Sequence, residues 1–122
     1  MSIEADVVSR LRGSTALVAL VGDEVRTVRQ DSTAAGVTCV LVSQVPARTF
    51  GHTLSWLRSR VQVTARAKSF ATLMDIGAAM RQRMERWSTG TVADTLLDNE
   101  IDLTSDGERY TLIQDYMIHH TT

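Results

Sequence analysis

The sequence predicts an α+β domain, in which a mainly antiparallel sheet of two hairpins has helices packed on one face. Predicted strands occur in two pairs, each joined by a short turn-rich connection, which is typical of antiparallel neighbours. The strongest amphipathic helix pattern lies between the two pairs, so it can cover one side of their sheet. A chain of 122 residues suits a single domain spanning 1–122, which buries about 65–70% of its unfolded surface.

The N-terminal third predicts two helices and one short strand. Ser2 is a good N-cap for the first helix, and Gly13 ends it. Ser14 caps a second, shorter helix that stops at Gly22. One short strand is expected around Val25, and the remaining polar residues up to position 36 predict a loop. The apolar positions of the first helix share one face, and they are Ile3, Val7, Val8 and Leu11.

The first hairpin is predicted from two strand patterns separated by a turn-rich stretch. Residues 37–45 are rich in β-branched side chains, and Pro46 is expected to stop that strand. Residues 46–53 then form the loop, and the second strand runs over 54–67. In this second strand apolar and polar residues alternate, which is typical of a strand buried on one face only.

A long helix over 69–87 and a second hairpin follow. The hairpin strands are expected over 92–103 and 109–119, with the turn signal Asp106-Gly107 between them. In the helix, apolar residues recur at steps of three and four, so one face should pack on the sheet. Gly77 continues this pattern, and the predicted core of the region contains Phe70, Leu73, Met80, Met84 and Trp87 from the helix and Val61, Val63 and Ala65 from the strand.

No catalytic or metal-binding motif is found, so the sequence predicts a protein that is not an enzyme and holds no cofactor. There is no glycine-rich phosphate loop and no Gly-x-Ser-x-Gly elbow. His119 and His120 are adjacent on a predicted strand and should point to opposite faces, so they cannot easily share a metal. Cys39, the one cysteine, is expected to be a small buried hydrophobe. The longest apolar run, 16–21, is far shorter than the ~20 residues that span a bilayer.

The net charge of −1 conceals two segments of opposite sign. Residues 48–86 carry eight basic and two acidic side chains, whereas residues 91–108 carry six acidic side chains and no basic one. Two solvated faces of opposite sign are one interpretation. The other is a molecule with one basic and one acidic patch, able to bind copies of itself head to tail. Direct nucleic-acid binding by the arginines is disfavoured, because the whole chain has a slight negative charge and few aromatic residues.

The candidate interface residues follow from these two segments. Three of the four candidate arginines lie on the predicted strand, all at even-numbered positions, and should share the face opposite its apolar residues. Three acids alternate in the same way on the strand over 92–103. We expect these two sets to meet between subunits. Pairing inside one subunit remains the alternative if the two strands are neighbours in one sheet. The set is Arg48, Arg58, Arg60 and Arg66 with Asp98, Glu100 and Asp102.

Four stretches together resemble a known family. Leu-Val-Gly-Asp-Glu-Val-Arg at 20–26 precedes the first hairpin, and Arg-Val-Gln-Val at 60–63 leads into the long helix. Leu-Leu-Asp-Asn-Glu at 96–100 and Gln-Asp-Tyr-Met-Ile-His-His at 114–120 follow. In their order and in overall length they resemble the tail completion, or tail terminator, proteins of long-tailed bacteriophages and gene transfer agents.

The resemblance implies a virion structural protein at the head-proximal end of a tail, assembled in the host cytoplasm. Such proteins form a ring, commonly of six subunits, that caps the tail tube, ends its polymerisation and provides a docking surface for the head and neck. The implied partners are further copies of the chain, the tail tube protein and a head or neck connector protein, with no sequence-specific nucleic acid and no membrane. The alternatives are a head-completion or connector ring protein and, in a different class, a small DNA-binding protein that uses the arginine-rich strand.

Overall fold

A computed structural model describes residues 3–22, 24–27, 35–47, 56–89, 92–104 and 110–121. Within these ranges the chain forms three helices and five strands. The helices are α1 (Ile3–Arg12), α2 (Thr15–Val21) and α3 (Phe70–Met84), and the strands are β1 (Val25–Arg26), β2 (Gly36–Ala47), β3 (Trp56–Ala67), β4 (Val92–Thr104) and β5 (Tyr110–Thr121). No helix in these ranges is long and apolar enough to cross a membrane.

The first two helices form as predicted and are closed by capping groups. The Ser14 hydroxyl accepts a hydrogen bond from the Leu17 backbone N–H over 3.2 Å, which satisfies a free donor in the first turn of α2. Gly22 ends α2 at a φ of 62°, a left-handed conformation that glycine adopts without strain. The predicted cap Ser2 lies outside the described residues.

The five strands form one sheet in the order β1-β2-β3-β5-β4. The pair β1–β2 is parallel, and the other three pairs are antiparallel. Each hairpin therefore forms as predicted, and the two join through β3 and β5 into a continuous sheet. This confirms the α+β fold class with a mainly antiparallel sheet.

The prediction that Pro46 stops the first hairpin strand is wrong. β2 continues to Ala47, and Pro46 lies opposite Leu57 of β3. Because β1 pairs with only two residues near the start of β2, the far half of β2 has β3 as its one described neighbour. Proline is tolerated at such an edge, where its missing N–H would face away from the sheet. Residues 48–53 of the predicted loop, residues 54–55 of the predicted second strand and the predicted turn signal Asp106-Gly107 lie outside the described residues.

The predicted core of α3 is confirmed except for Phe70. Ser69 caps the helix, and Leu73, Gly77, Met80, Met84 and Trp87 are all buried. Phe70 is 46% exposed, because it stands in the first turn, and it packs edge-to-face on Tyr110 with the ring centroids 5.8 Å apart.

All three helices lie on one side of the sheet, so only one of its two faces is covered by them. On β3 the odd-numbered residues from Ser59 to Ala67 are buried, and the predicted Val61, Val63 and Ala65 are among them. On β5 the even-numbered residues, from Leu112 to His120, are buried. We call this side the helix face and the other side the open face, since no described element covers it.

Candidate functional site

The open face of the sheet combines exposed apolar side chains with charged ones. Four large apolar residues on it are between 41% and 44% exposed, two on β2 and two on β4, and these are Val40, Val45, Leu96 and Ile101. Between them, β3 presents its even-numbered residues and β5 its odd-numbered ones. Exposed apolar side chains grouped around polar ones are typical of protein–protein contact surfaces.

Arg60 and Asp98 form an ion pair within the chain across the open face. Arg60 Nη1 donates to Asp98 Oδ2 over 2.6 Å, although β5 separates the two strands that hold these residues. The two side chains are 32% and 46% exposed. Arg60 and Asp98 therefore pair inside one subunit, which is the alternative that the sequence left open.

The prediction that Asp98 and Glu100 share a face is wrong, because the register of β4 shifts between Leu97 and Asn99. Such a bulge inserts one extra residue and interrupts the alternation of faces. Asp98 therefore reaches Arg60 on the open face, whereas Glu100 lies on the helix face and contacts Arg81 at 3.4 Å. The backbone of Asp102 pairs with Leu112, and its side chain lies outside the described set.

The predicted arginines differ in how much surface they offer to a partner. Arg58 is exposed, and no ion pair to it is found in the part of the chain that the structure describes. Arg66 is only 8% exposed, beside Gly36, so little of it can be reached from outside. Arg48 lies outside the described ranges. The even-numbered arginines of β3 do share the face opposite Val61, as predicted.

The ion pair between Arg60 and Asp98 should contribute little to folding stability. Both side chains are solvated, so a double-mutant cycle with Arg60→Ala and Asp98→Ala should give a coupling energy of about 0.2–1 kcal/mol that falls as salt is added. Urea unfolding of the four proteins measures it. A coupling of several kcal/mol that salt does not change would show that the pair is buried.

A buried polar cluster on the helix face was missed from the sequence. Ser59 Oγ lies 2.6 Å from His120 Nε2 and accepts a hydrogen bond from Gln44 Nε2 over 3.0 Å. Ser59 is completely buried, so a substrate cannot reach its hydroxyl, and we interpret the serine–histidine contact as structural. His119 lies on the opposite face from His120, as predicted. In the described ranges no three His, Cys, Asp or Glu side chains gather closely enough to hold a metal ion.

A second buried network joins β5 to α3 and β4. The Tyr116 hydroxyl donates to Gln114 Oε1, and Gln114 Nε2 donates to the Gly77 carbonyl over 3.1 Å and to Glu100 Oε2 over 2.9 Å. Burial, with a smaller contribution from the Glu100 charge, raises the pKa of Tyr116 above its ordinary value. The sequence contained one signal for this network. Gln114 is polar at a position where the alternation of β5 predicts an apolar residue.

Cys39 is fully buried, as predicted. Burial, with a smaller contribution from the Glu4 charge, raises the pKa of the Cys39 thiol to about 12. The thiol therefore stays protonated at neutral pH and packs as a small apolar group.

Comparison with solved structures finds a similar chain in the virion of a native gene transfer agent particle. The two structures superpose with a TM-score of 0.77, over 99% of this chain and 96% of the other, at 17% sequence identity. The two chains share a fold. No protein-family model matches the sequence, and no curated protein matches it.

Proposed function

We propose that the chain is a virion structural protein that forms a ring at the head-proximal end of a phage-type tail. The ring caps the tail tube, ends its polymerisation and provides a docking surface for the head or neck. The observation that supports this most is the fold shared with a chain of a gene transfer agent virion over nearly the full length of both. The order of elements that resembles tail terminators points the same way.

The open face is the proposed contact surface between neighbouring subunits. A closed ring joins unlike surfaces, so one patch of each subunit must complement a different patch of the next. Arg58 and the neighbouring Val45 place a positive charge beside an exposed apolar side chain. The acidic segment 91–108 carries the opposite charge. Because Arg60 and Asp98 neutralise each other, we propose that they contribute to the contact surface as a polar pair without net charge. Arg48 and Asp102 remain proposed contact residues.

A DNA-binding role for the open face is less well supported than a protein contact. Asp98 neutralises Arg60, and Asp115 lies on the same face opposite Gln62. A phosphate backbone would meet both carboxylates, and their repulsion opposes binding. A titration with a DNA duplex at rising salt tests this, because a protein that neutralises several phosphates loses affinity steeply.

Reversing the charge of Arg58 should prevent ring formation without unfolding the subunit. Arg58→Glu places a carboxylate where the neighbour's acidic segment is proposed to lie, and like charges oppose contact. Native mass spectrometry measures assembly, and far-ultraviolet circular dichroism measures folding.

Lys68→Glu is the matched control, because it makes the same charge change at an exposed residue between β3 and α3. It should leave assembly intact. Rings of normal mass from the Arg58→Glu protein would refute the assigned contact.

The tail-cap role is distinguished from a head-side connector role by the partner that the ring binds. Mixing the purified protein with its tail tube protein should give tubes closed at one end, visible by negative-stain electron microscopy. Binding to the head-side connector with no effect on the tube would favour the alternative.

A further inference from the structure

Two arginines from distant parts of the chain hold each other at the ends of two helices. Arg10 lies in the last turn of α1 and Arg83 in the last turn of α3. Arg10 Nε donates to the Arg83 carbonyl over 3.0 Å, and Arg83 Nε donates to the Arg10 carbonyl over 2.8 Å. The Arg10 guanidinium also lies 5.7 Å from the centroid of the Trp87 ring. These contacts fix both guanidiniums in a half-buried position.

Helix capping accounts for only one N–H group of each arginine. The last carbonyls of a helix lack partners within it, and basic side chains there complement the helix dipole. The terminal Nη groups have no hydrogen-bond acceptor among the residues that the structure describes, and no carboxylate there lies within 4.0 Å of them. Asp6, one turn before Arg10 on α1, is not within that distance either.

The arrangement keeps two positive charges together without a counterion from the described ranges. Burial, with a smaller contribution from the Arg83 charge, lowers the pKa of Arg10 from its ordinary value. Gly13 provides the room, since a Cβ atom there would collide with Arg83 Nη2. A guanidinium whose Nη groups have no acceptor can bind a carboxylate through paired hydrogen bonds.

We propose that the Nη groups of Arg10 and Arg83 form a binding site for the carboxylate of an acidic segment on another protein. A single carboxylate suits the site better than a polyanion, because Asp6 on α1 and Glu85, the residue after α3, lie close by in sequence and would repel a phosphate backbone. The site lies on the helix side of the sheet, opposite the open face. It therefore does not depend on the proposed ring contact, and it would receive a partner other than the ring neighbour.

The test uses the unmodified protein and a probe with one carboxylate, the peptide acetyl-Gly-Gly-Glu-Gly-Gly amide. The subunit of 13.5 kDa suits nuclear magnetic resonance, in which the Nε–Hε signals of individual arginines can be followed. The peptide should shift the signals of Arg10 and Arg83 in a saturable manner and leave unchanged that of Arg26, which already pairs with Glu24 inside the chain. Equal, unsaturable shifts at all arginines, or no shift at Arg10 and Arg83, would overturn the proposal.

Variants and a competing ligand sharpen the result. Arg83→Gln should weaken peptide binding by about tenfold or more, as expected when a charged hydrogen-bond donor is lost. Lys68→Gln, with the same loss of charge at an exposed residue between β3 and α3, should not change it. Because Arg83→Gln also removes a capping bond, Arg83→Lys serves as a second variant that keeps the charge but loses the fork, and its binding should be intermediate. A short DNA duplex that shifts the same signals more strongly than the peptide at equal salt would overturn the choice of partner.

Discussion

Replacing Gln114 with glutamate should lower the free energy of unfolding by about 3–5 kcal/mol, the range for an uncompensated buried charge. Gln114 is completely buried, and its Nε2 donates to both Gly77 and Glu100. The substitution removes both donors and places a carboxylate against Glu100 and the Gly77 carbonyl. Urea unfolding followed by circular dichroism measures the loss.

The destabilisation should depend on pH. Burial and Glu100 raise the pKa of the introduced carboxyl in the folded state above its unfolded value of about 4.3, so the folded state favours the protonated form. The stability difference from the natural protein should therefore be smallest below that pH and grow as the pH rises. Gln82→Glu, the same change at an exposed residue of α3, should have little effect. Equal losses in the two variants would contradict the network.

Replacing Leu73 with alanine should lower the free energy of unfolding by about 2–5 kcal/mol. Leu73 is 1% exposed in the middle of the buried stripe of α3, so truncation leaves a cavity between the helix and the sheet. Leu96→Ala removes the same atoms from the open face, where the side chain is 42% exposed, and should change stability by about 0.5 kcal/mol or less. Similar losses for the two leucines would mean that the helix packs on the other face.

Local sequence patterns predicted the helices and strands, because the residues that determine each of these elements lie close together in the sequence. The alternation in β3 and the steps of three and four in α3 identified the buried side chains of both. The end of β2 was missed because proline blocks pairing only where a strand has a neighbour on its N–H side. That depends on β1 being short, which the sequence of β2 does not encode.

The contacts between side chains at the candidate site could not be predicted, because they depend on features of the fold that no local sequence pattern contains. The bulge in β4 separated Asp98 from Glu100, and a regular alternation cannot reveal where an extra residue is inserted. The order of strands also mattered, because Arg60 reaches Asp98 across β5, and no local pattern shows that β5 lies between β3 and β4. Arg10 and Arg83, 73 positions apart, meet only through helix packing.

The central claim is that this chain assembles into a closed ring on the end of a tail tube, through the open face of its sheet. The most direct test is the native mass of the purified protein, alone and mixed with its tail tube protein, for the natural chain and for Arg58→Glu. The claim predicts one oligomer of fixed mass for the natural chain, alone or on the tube, and a folded monomer for the variant. A natural chain that stays monomeric in both conditions, or that forms open filaments without a fixed mass, would contradict it.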